Sequence, residues 1–458
     1  AYSFLPKQKK SLPVFLIIPE GGFEEGSTSD KNLAMNIAGQ FQVIVATMQY
    51  RVGALGLLYL GLQEAPGNMA MLDQQLAMKW VRDNIAAFRG DPERITIMGV
   101  SAGAISSSYH LLAPGSRGLF HRAIISSGTT RGASVFIPPE EMLKLSQKLI
   151  SELSCDGSSV KESLECLKTR DAMDIVKAQK ASSLSFKPTI DKNFLHHPPK
   201  YYFDNDLTYK VPIMQGVAKS EGEYLLWLQM PEIMEAVRPE LSDEVTFLMI
   251  RADWNYTDDF VHFVKNYFRI ILQKENGKDP DNLDILLRIS GDAIITCSIL
   301  EDVYHYANKL PDQTFMYVFD VKTEAVKVPD WMRATHATDW TIVFERFHAG
   351  NEDMEGFNIQ KRVLKHWMNF VETGDPNYDS EGHKVADEWK PVGNGDKRVY
   401  LHIDRREPWQ HGYNFNKATC DFLGCVDPDD NTPEKSDCSM FKQMPDYIES
   451  KAFKRIEL

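Results

Sequence analysis

Residues 95–112 read Ile95-Thr96-Ile97-Met98-Gly99-Val100-Ser101-Ala102-Gly103-Ala104-Ile105-Ser106-Ser107-Ser108-Tyr109-His110-Leu111-Leu112. The opening run is short, apolar and β-branched, the composition of a buried strand, and residues 104–112 continue as a helix. Between them, Gly99-Val100-Ser101-Ala102-Gly103 has the Gly-x-Ser-x-Gly spacing. The two glycines remove Cβ atoms where strand and helix approach each other closely. Ser101 can then occupy a strained turn that presents its hydroxyl at the carboxyl edge of a sheet. The helix beginning at this turn offers backbone N–H groups, that of Ala102 first, and a favourable dipole to a developing negative charge. Ser101 is therefore the candidate nucleophile, because a strand before it and a helix after it are the context that this spacing requires.

Comparable apolar runs recur at residues 14–18, 43–50, 123–126, 211–217, 315–320 and 399–403, with helix-like stretches between them. That alternation predicts an α/β fold with a mostly parallel central sheet flanked by helices. Leu72, Leu76, Ala77, Trp80 and Val81 fall at helical spacing in one such stretch, and Asp91-Pro92 is expected to turn the chain into the next strand. Residues 138–310 are more helical and less regular, and are expected to be insertions above the sheet. Pro198-Pro199 and residues 279–282 mark loops there. No repeat or Gly/Ser-rich linker divides the chain, so residues 1–425 are expected to form one catalytic domain and residues 426–458 a surface tail held by a disulfide.

The chain has 458 residues, 43% hydrophobic and 25% charged, with a formal net charge of −13. That composition is of a folded, non-disordered protein, and the acidic balance argues against a nucleic-acid surface, which needs clustered Lys and Arg. No apolar run approaches the roughly 20 residues of a membrane-spanning helix. Six cysteines suggest Cys155 with Cys166, Cys425 with Cys438, and Cys297 with Cys420 across a long loop; free cysteines in a cytosolic protein are the other reading. No Cys/His cluster offers a metal site, and no cofactor is signalled. Asn255-Tyr256-Thr257 is a glycosylation sequon, and the terminal Arg455-Ile456-Glu457-Leu458 has a distant likeness to retention signals. Together these point to the secretory pathway, either secreted or retained in the endoplasmic reticulum lumen.

A serine nucleophile needs a base, an acid behind the base, and two or three donors for the oxyanion. Glu20-Gly21-Gly22-Phe23 follows the first strand, and Gly21 and Gly22 are the natural partners of Ala102 as donors, although a plain glycine-rich turn reads the same way. Twelve histidines compete for the base. Here Glu64-Ala65-Pro66-Gly67-Asn68, residues 73–103 and Ser116-Arg117-Gly118-Leu119-Phe120-His121-Arg122-Ala123 resemble the type-B carboxylesterase/cholinesterase family, over about residues 12–423. The resemblance implies an α/β-hydrolase fold. In Val217-Ala218-Lys219-Ser220-Glu221-Gly222 it implies Glu221 as the acid, and in Thr335-His336-Ala337-Thr338-Asp339-Trp340 it implies His336 as the base. The order Ser, Glu, His is also that of α/β-hydrolases in general. The same likeness supports the Cys155/Cys166 and Cys297/Cys420 pairs, and places Leu184 and Phe186 on the acyl pocket.

Three departures from the family pattern stand out. Family members carry further strands ahead of residue 14, including a tryptophan-bearing loop that binds choline, so choline specificity is not assigned. Glu20 stands where the oxyanion loop has glycine, and a carboxylate there opposes stabilisation of negative charge unless it faces solvent. Ala337 replaces the glycine that follows the histidine. The expected function is hydrolysis of a small-molecule carboxylic ester through Ser101, His336 and Glu221 and an acyl-enzyme; a catalytically impaired binding or adhesion protein on the same scaffold is the alternative. Oligomeric state is not legible in the sequence.

Overall fold

The computed structural model describes residues 11–28, 37–132, 134–234, 237–254, 258–322, 328–344 and 354–426. Ten strands occur among them: β1 (Leu12–Ile18), β2 (Ile44–Thr47), β3 (Tyr59–Leu62), β4 (Ala65–Pro66), β5 (Gly90–Val100), β6 (Arg122–Ser126), β7 (Ile213–Ala218), β8 (Thr314–Phe319), β9 (Val399–Ile403) and β10 (Gln410–Tyr413). The helices that bear on the site are α1 (Met69–Asn84), α2 (Ala102–Leu112), α3 (Gly222–Gln229), α4 (Asn282–Gly291), α5 (Cys297–Lys309), α6 (Thr338–Phe344), α7 (Met354–Thr373) and α8 (Lys417–Val426). Eight strands form one sheet in the order β10-β9-β8-β7-β6-β5-β1-β2, and β3 pairs with β4 in a separate hairpin. Every pairing in the large sheet is parallel except β10 with β9.

Why the strands read as unbroken apolar runs is visible in β1, all of whose residues are buried. Side chains alternate across a strand, so Val14, Leu16 and Ile18 enter the core layer that holds Met71 and Met78 of α1 and Ala104 and Leu111 of α2. Phe15 and Ile17 enter the opposite layer, with Met98, Met214, Tyr317 and Trp367 of α7. A sheet covered by helices on both faces has no polar side, which is why periodicity in the sequence is weak there and composition carries the signal. A third apolar cluster joins Leu226 of α3, Leu283 and Leu287 of α4, and Phe422 of α8 above the sheet, where helical insertions were expected.

Local details differ from expectation. Asp91-Pro92 does not precede the strand but lies inside β5, where Leu12 pairs with Gly90 and Val14 with Ile95. Pro13 alone thus faces residues 91–94, and the turn signal is absorbed as an irregularity of the ladder. Pro198-Pro199 opens a short helix, Pro199–Asp204, rather than marking a loop, since proline is well placed in a first turn. The disulfides Cys155–Cys166 and Cys297–Cys420 are formed as expected. Cys438, Asn255 and nearly all of the expected tail lie outside the described residues. Among the described residues, no helix is long and apolar enough to cross a membrane.

Candidate active site

The turn at Ser101 has the strain that its neighbours predict: φ is +53° and ψ −122°, outside the regions that L-residues prefer. A Cβ on Gly99 would lie 2.1 Å from the Gly103 carbonyl carbon, and one on Gly103 would lie 2.2 Å from the Ile18 carbonyl oxygen. Strand β5, helix α2 and strand β1 can therefore meet only if both positions are glycine. The Ser101 N–H donates to the Ser126 carbonyl at 3.0 Å, which pins the turn to the end of β6. Ala102 is the first residue of α2, so its N–H has no acceptor within the helix.

Glu221 follows β7 and immediately precedes α3, and both of its oxygens are engaged away from the helix N-terminus. Oε1 accepts from the Ser127 hydroxyl at 2.6 Å and from the Ala218 N–H at 2.7 Å; Oε2 pairs with Nδ1 of His336 at 2.7 Å. The Tyr224 ring stacks on the imidazole with centroids 4.5 Å apart and planes inclined by 18°. With Nδ1 held by the carboxylate, Nε2 is the nitrogen left to act as a base. Nε2 is buried without a hydrogen-bond partner, and His336 and Ser101 line one cavity of about 1070 Å³. Burial opposes a charge on His336. The Glu221 carboxylate, with Glu20 and Asp339 adding to its field, outweighs that penalty and raises the imidazole pKa above its ordinary value.

In the loop from Pro19 to Phe23, the carbonyls of Pro19, Gly21, Gly22 and Phe23 accept hydrogen bonds from neighbouring groups. The Tyr50 hydroxyl donates to the Pro19 carbonyl at 2.9 Å, the Glu24 and Glu25 N–H groups to that of Gly21 at 2.9 Å, and the Gly53 N–H to that of Phe23 at 2.6 Å. The Lys187 ammonium donates to the Gly22 carbonyl at 2.9 Å. Gly21 has φ +116°, a conformation restricted to glycine. The Gly21 and Gly22 N–H groups donate to no described residue, and both residues line the cavity with Ser101. Glu20 lines the same cavity instead of facing open solvent; burial raises its pKa, with the nearby His336 pulling it down and Asp339 and Glu25 pushing it up.

Sequence reasoning missed several members of the site. Asp339, one turn beyond His336, is fully buried; it accepts from the Ser126 and Tyr317 hydroxyls, each at 2.5 Å, and from the Trp340 N–H at 2.8 Å. Its burial raises its pKa. Glu223 is buried too and accepts from the Arg333 N–H with both oxygens at 3.1 Å; burial pushes its pKa up to about 7. An acidic residue three positions after His336 was in plain view, but its burial was not. The assignment of Leu184 and Phe186 to the acyl pocket is corrected: both are buried in the core layer of α1 and α2, and the alternate residues Ser185 and Lys187 line the cavity. Among the described residues, no group of three His, Cys, Asp or Glu side chains is arranged to hold a metal ion.

A mostly parallel sheet that places a strained serine after β5, an acid after β7 and a histidine after β8 defines the α/β-hydrolase fold. The profile of the Carboxylesterase family matches residues 3–423, and the chain belongs to that family. It is 30% identical over 450 residues to acetylcholinesterase 1 of Caenorhabditis briggsae, covering 90% of this chain and 70% of that one. It is 31% identical over 421 residues to the cholinesterase of Mus musculus, covering 87% of this chain and 67% of that protein.

Proposed function

We propose that the protein hydrolyses small-molecule carboxylic esters through an acyl-enzyme, with Ser101 as nucleophile, His336 as base and Glu221 as the acid that orients it. The observation that carries this reading is the Glu221–His336 pair at 2.7 Å, whose free Nε2 is buried at the cavity that Ser101 lines. Substrate binding is expected to close the Ser101–His336 hydrogen bond, which is commonly loose in unliganded hydrolases. His336 takes the hydroxyl proton as Ser101 attacks the carbonyl carbon, then delivers it to the departing alcohol. Water, deprotonated by the same imidazole, releases the acid. The N–H groups of Gly21, Gly22 and Ala102 bind the oxyanion in both steps, each donor being worth on the order of 10²–10³ in kcat. The secretory pathway remains the proposed compartment, supported by the two disulfides.

Intact-mass measurement after exposure to a fluorophosphonate tests the reading. One adduct per chain on the wild type, and none on a folded Ser101→Ala variant, is the expected result. A folded wild-type chain that takes no adduct would refute it.

A further inference from the structure

Lys187 is chemically out of place. It follows Phe186 in a segment whose alternate residues are core, and its side chain is only 18% exposed. Burial penalises an ammonium ion, lowering the Lys187 pKa, so the ion persists only with good partners. Those partners lie on the oxyanion loop or tie back to it. The ammonium donates to the Gly22 carbonyl at 2.9 Å and to the Ser185 hydroxyl at 2.8 Å; that hydroxyl donates to Glu24 at 2.6 Å, and Glu24 lies 3.8 Å from the ammonium. The Phe23 ring lies under the same charge at 5.9 Å.

We propose that Lys187 is a positioning residue of the oxyanion loop, fixing the Gly22 peptide so that the Gly21 and Gly22 N–H groups face the scissile carbonyl. This inference rests on the esterase reading above. The carbonyls of Pro19, Gly21 and Phe23 are held by a tyrosine hydroxyl or by backbone N–H groups. Gly22 is the member of the loop whose carbonyl depends on a side-chain cation, and it is one of the proposed donors. Lys187 also offsets charge, because among the described residues Glu20, Glu24, Glu25 and Glu223 line the cavity against Lys180 and Lys187. An uncompensated carboxylate beside the oxyanion raises the transition state more than the neutral ester, so the effect falls on kcat.

The experiment compares wild type, Lys187→Met, Lys187→Arg and Ser185→Ala in kcat and KM for a 4-nitrophenyl ester, and in Ki for a trifluoromethyl ketone that forms a tetrahedral oxyanion on serine. For Lys187→Met, kcat is expected to fall about tenfold, with KM changed less than about twofold and the ketone weakened about tenfold. Arginine, which keeps the charge and a donor, is expected to recover most of the loss. A folded Lys187→Met variant with wild-type kcat and Ki, or a loss confined to KM, would overturn the inference while leaving the esterase reading intact. If Lys187→Met does not fold, Ser185→Ala decides, since it removes the hydroxyl that joins the ammonium to Glu24 and leaves every charge at the cavity unchanged. Its kcat is expected to fall a few-fold, and an unchanged value overturns the inference. A wild-type chain with neither turnover nor fluorophosphonate labelling overturns both proposals.

Discussion

Ala337 sits at φ +62°, in the left-handed region where a Cβ is unfavourable, directly after the proposed base. The glycine that the family pattern places there has a conformational reason. Ala337→Gly should remove about 1–2 kcal/mol of strain and return part of it through the greater freedom of glycine in the unfolded chain, for a net gain of roughly 0.5–1 kcal/mol. A raised urea midpoint at unchanged slope is the expected result. Glu20 makes a second prediction at this scale. Its charge helps to hold the His336 pKa above the ordinary value, so removing it lowers that pKa. In Glu20→Gly the imidazole stays neutral to lower pH, and the acid limb of the kcat/KM profile should shift to lower pH; an unshifted limb would show that the two groups are not coupled. Ser101 was legible in the Gly-x-Ser-x-Gly spacing between a strand and a helix, and Glu221 and His336 in the resemblance to the carboxylesterase family; the structure pairs Glu221 with His336 at 2.7 Å and sets His336 and Ser101 on one cavity. Lys187 and Asp339 were not legible, because their roles depend on burial and on contacts with residues 22 and 126, far away in the chain.

At the scale of elements, β1 and residues 95–100 of β5 were readable from composition alone, since a strand segment buried on both faces must be apolar throughout, whereas residues 91–94 of β5, polar or partly exposed, read as a turn. The hairpin of β3 and β4 was not readable, because it is short and has no alternation of its own. Helix α3 carries the most consequential feature hidden in the sequence. Glu221 immediately precedes it, and Glu223, in its first turn, is buried, which pushes its pKa up to about 7 from an ordinary 4.5. Between those values the native state holds more protons than the unfolded chain, so stability falls as pH rises from 4.5 to about 7. That is the reverse of the behaviour of a salt-bridged carboxylate. The full span corresponds to roughly 3 kcal/mol. Glu223→Gln keeps an acceptor for the Arg333 N–H but cannot ionise, so the fall in stability across this window should flatten in chemical denaturation measured at a series of pH values. An unchanged slope would place the titration elsewhere.

Across the whole molecule, the sheet brings together residues separated by more than two hundred positions, with Ser101 after β5, Glu221 after β7 and His336 after β8. The sheet positions the turns, but the third apolar cluster positions α3, whose Leu226 packs with Leu287 of α4 and Phe422 of α8. Helix α8 is secured to this cluster by the Cys297–Cys420 disulfide, which spans 123 residues. A cross-link over so long a loop restricts the unfolded chain strongly, by about 4–5 kcal/mol in the chain-entropy description. The paired variant Cys297→Ala/Cys420→Ala should therefore unfold at a distinctly lower temperature than wild type in calorimetry. Because α8 and α3 share one apolar cluster, fluorophosphonate labelling during slow heating should be lost over the same lowered range, the Glu221–His336 pair failing together with the cluster. If labelling instead survives to the wild-type temperature while the calorimetric transition splits, the insertions unfold separately from the sheet, and α8 has no part in holding the acid in place.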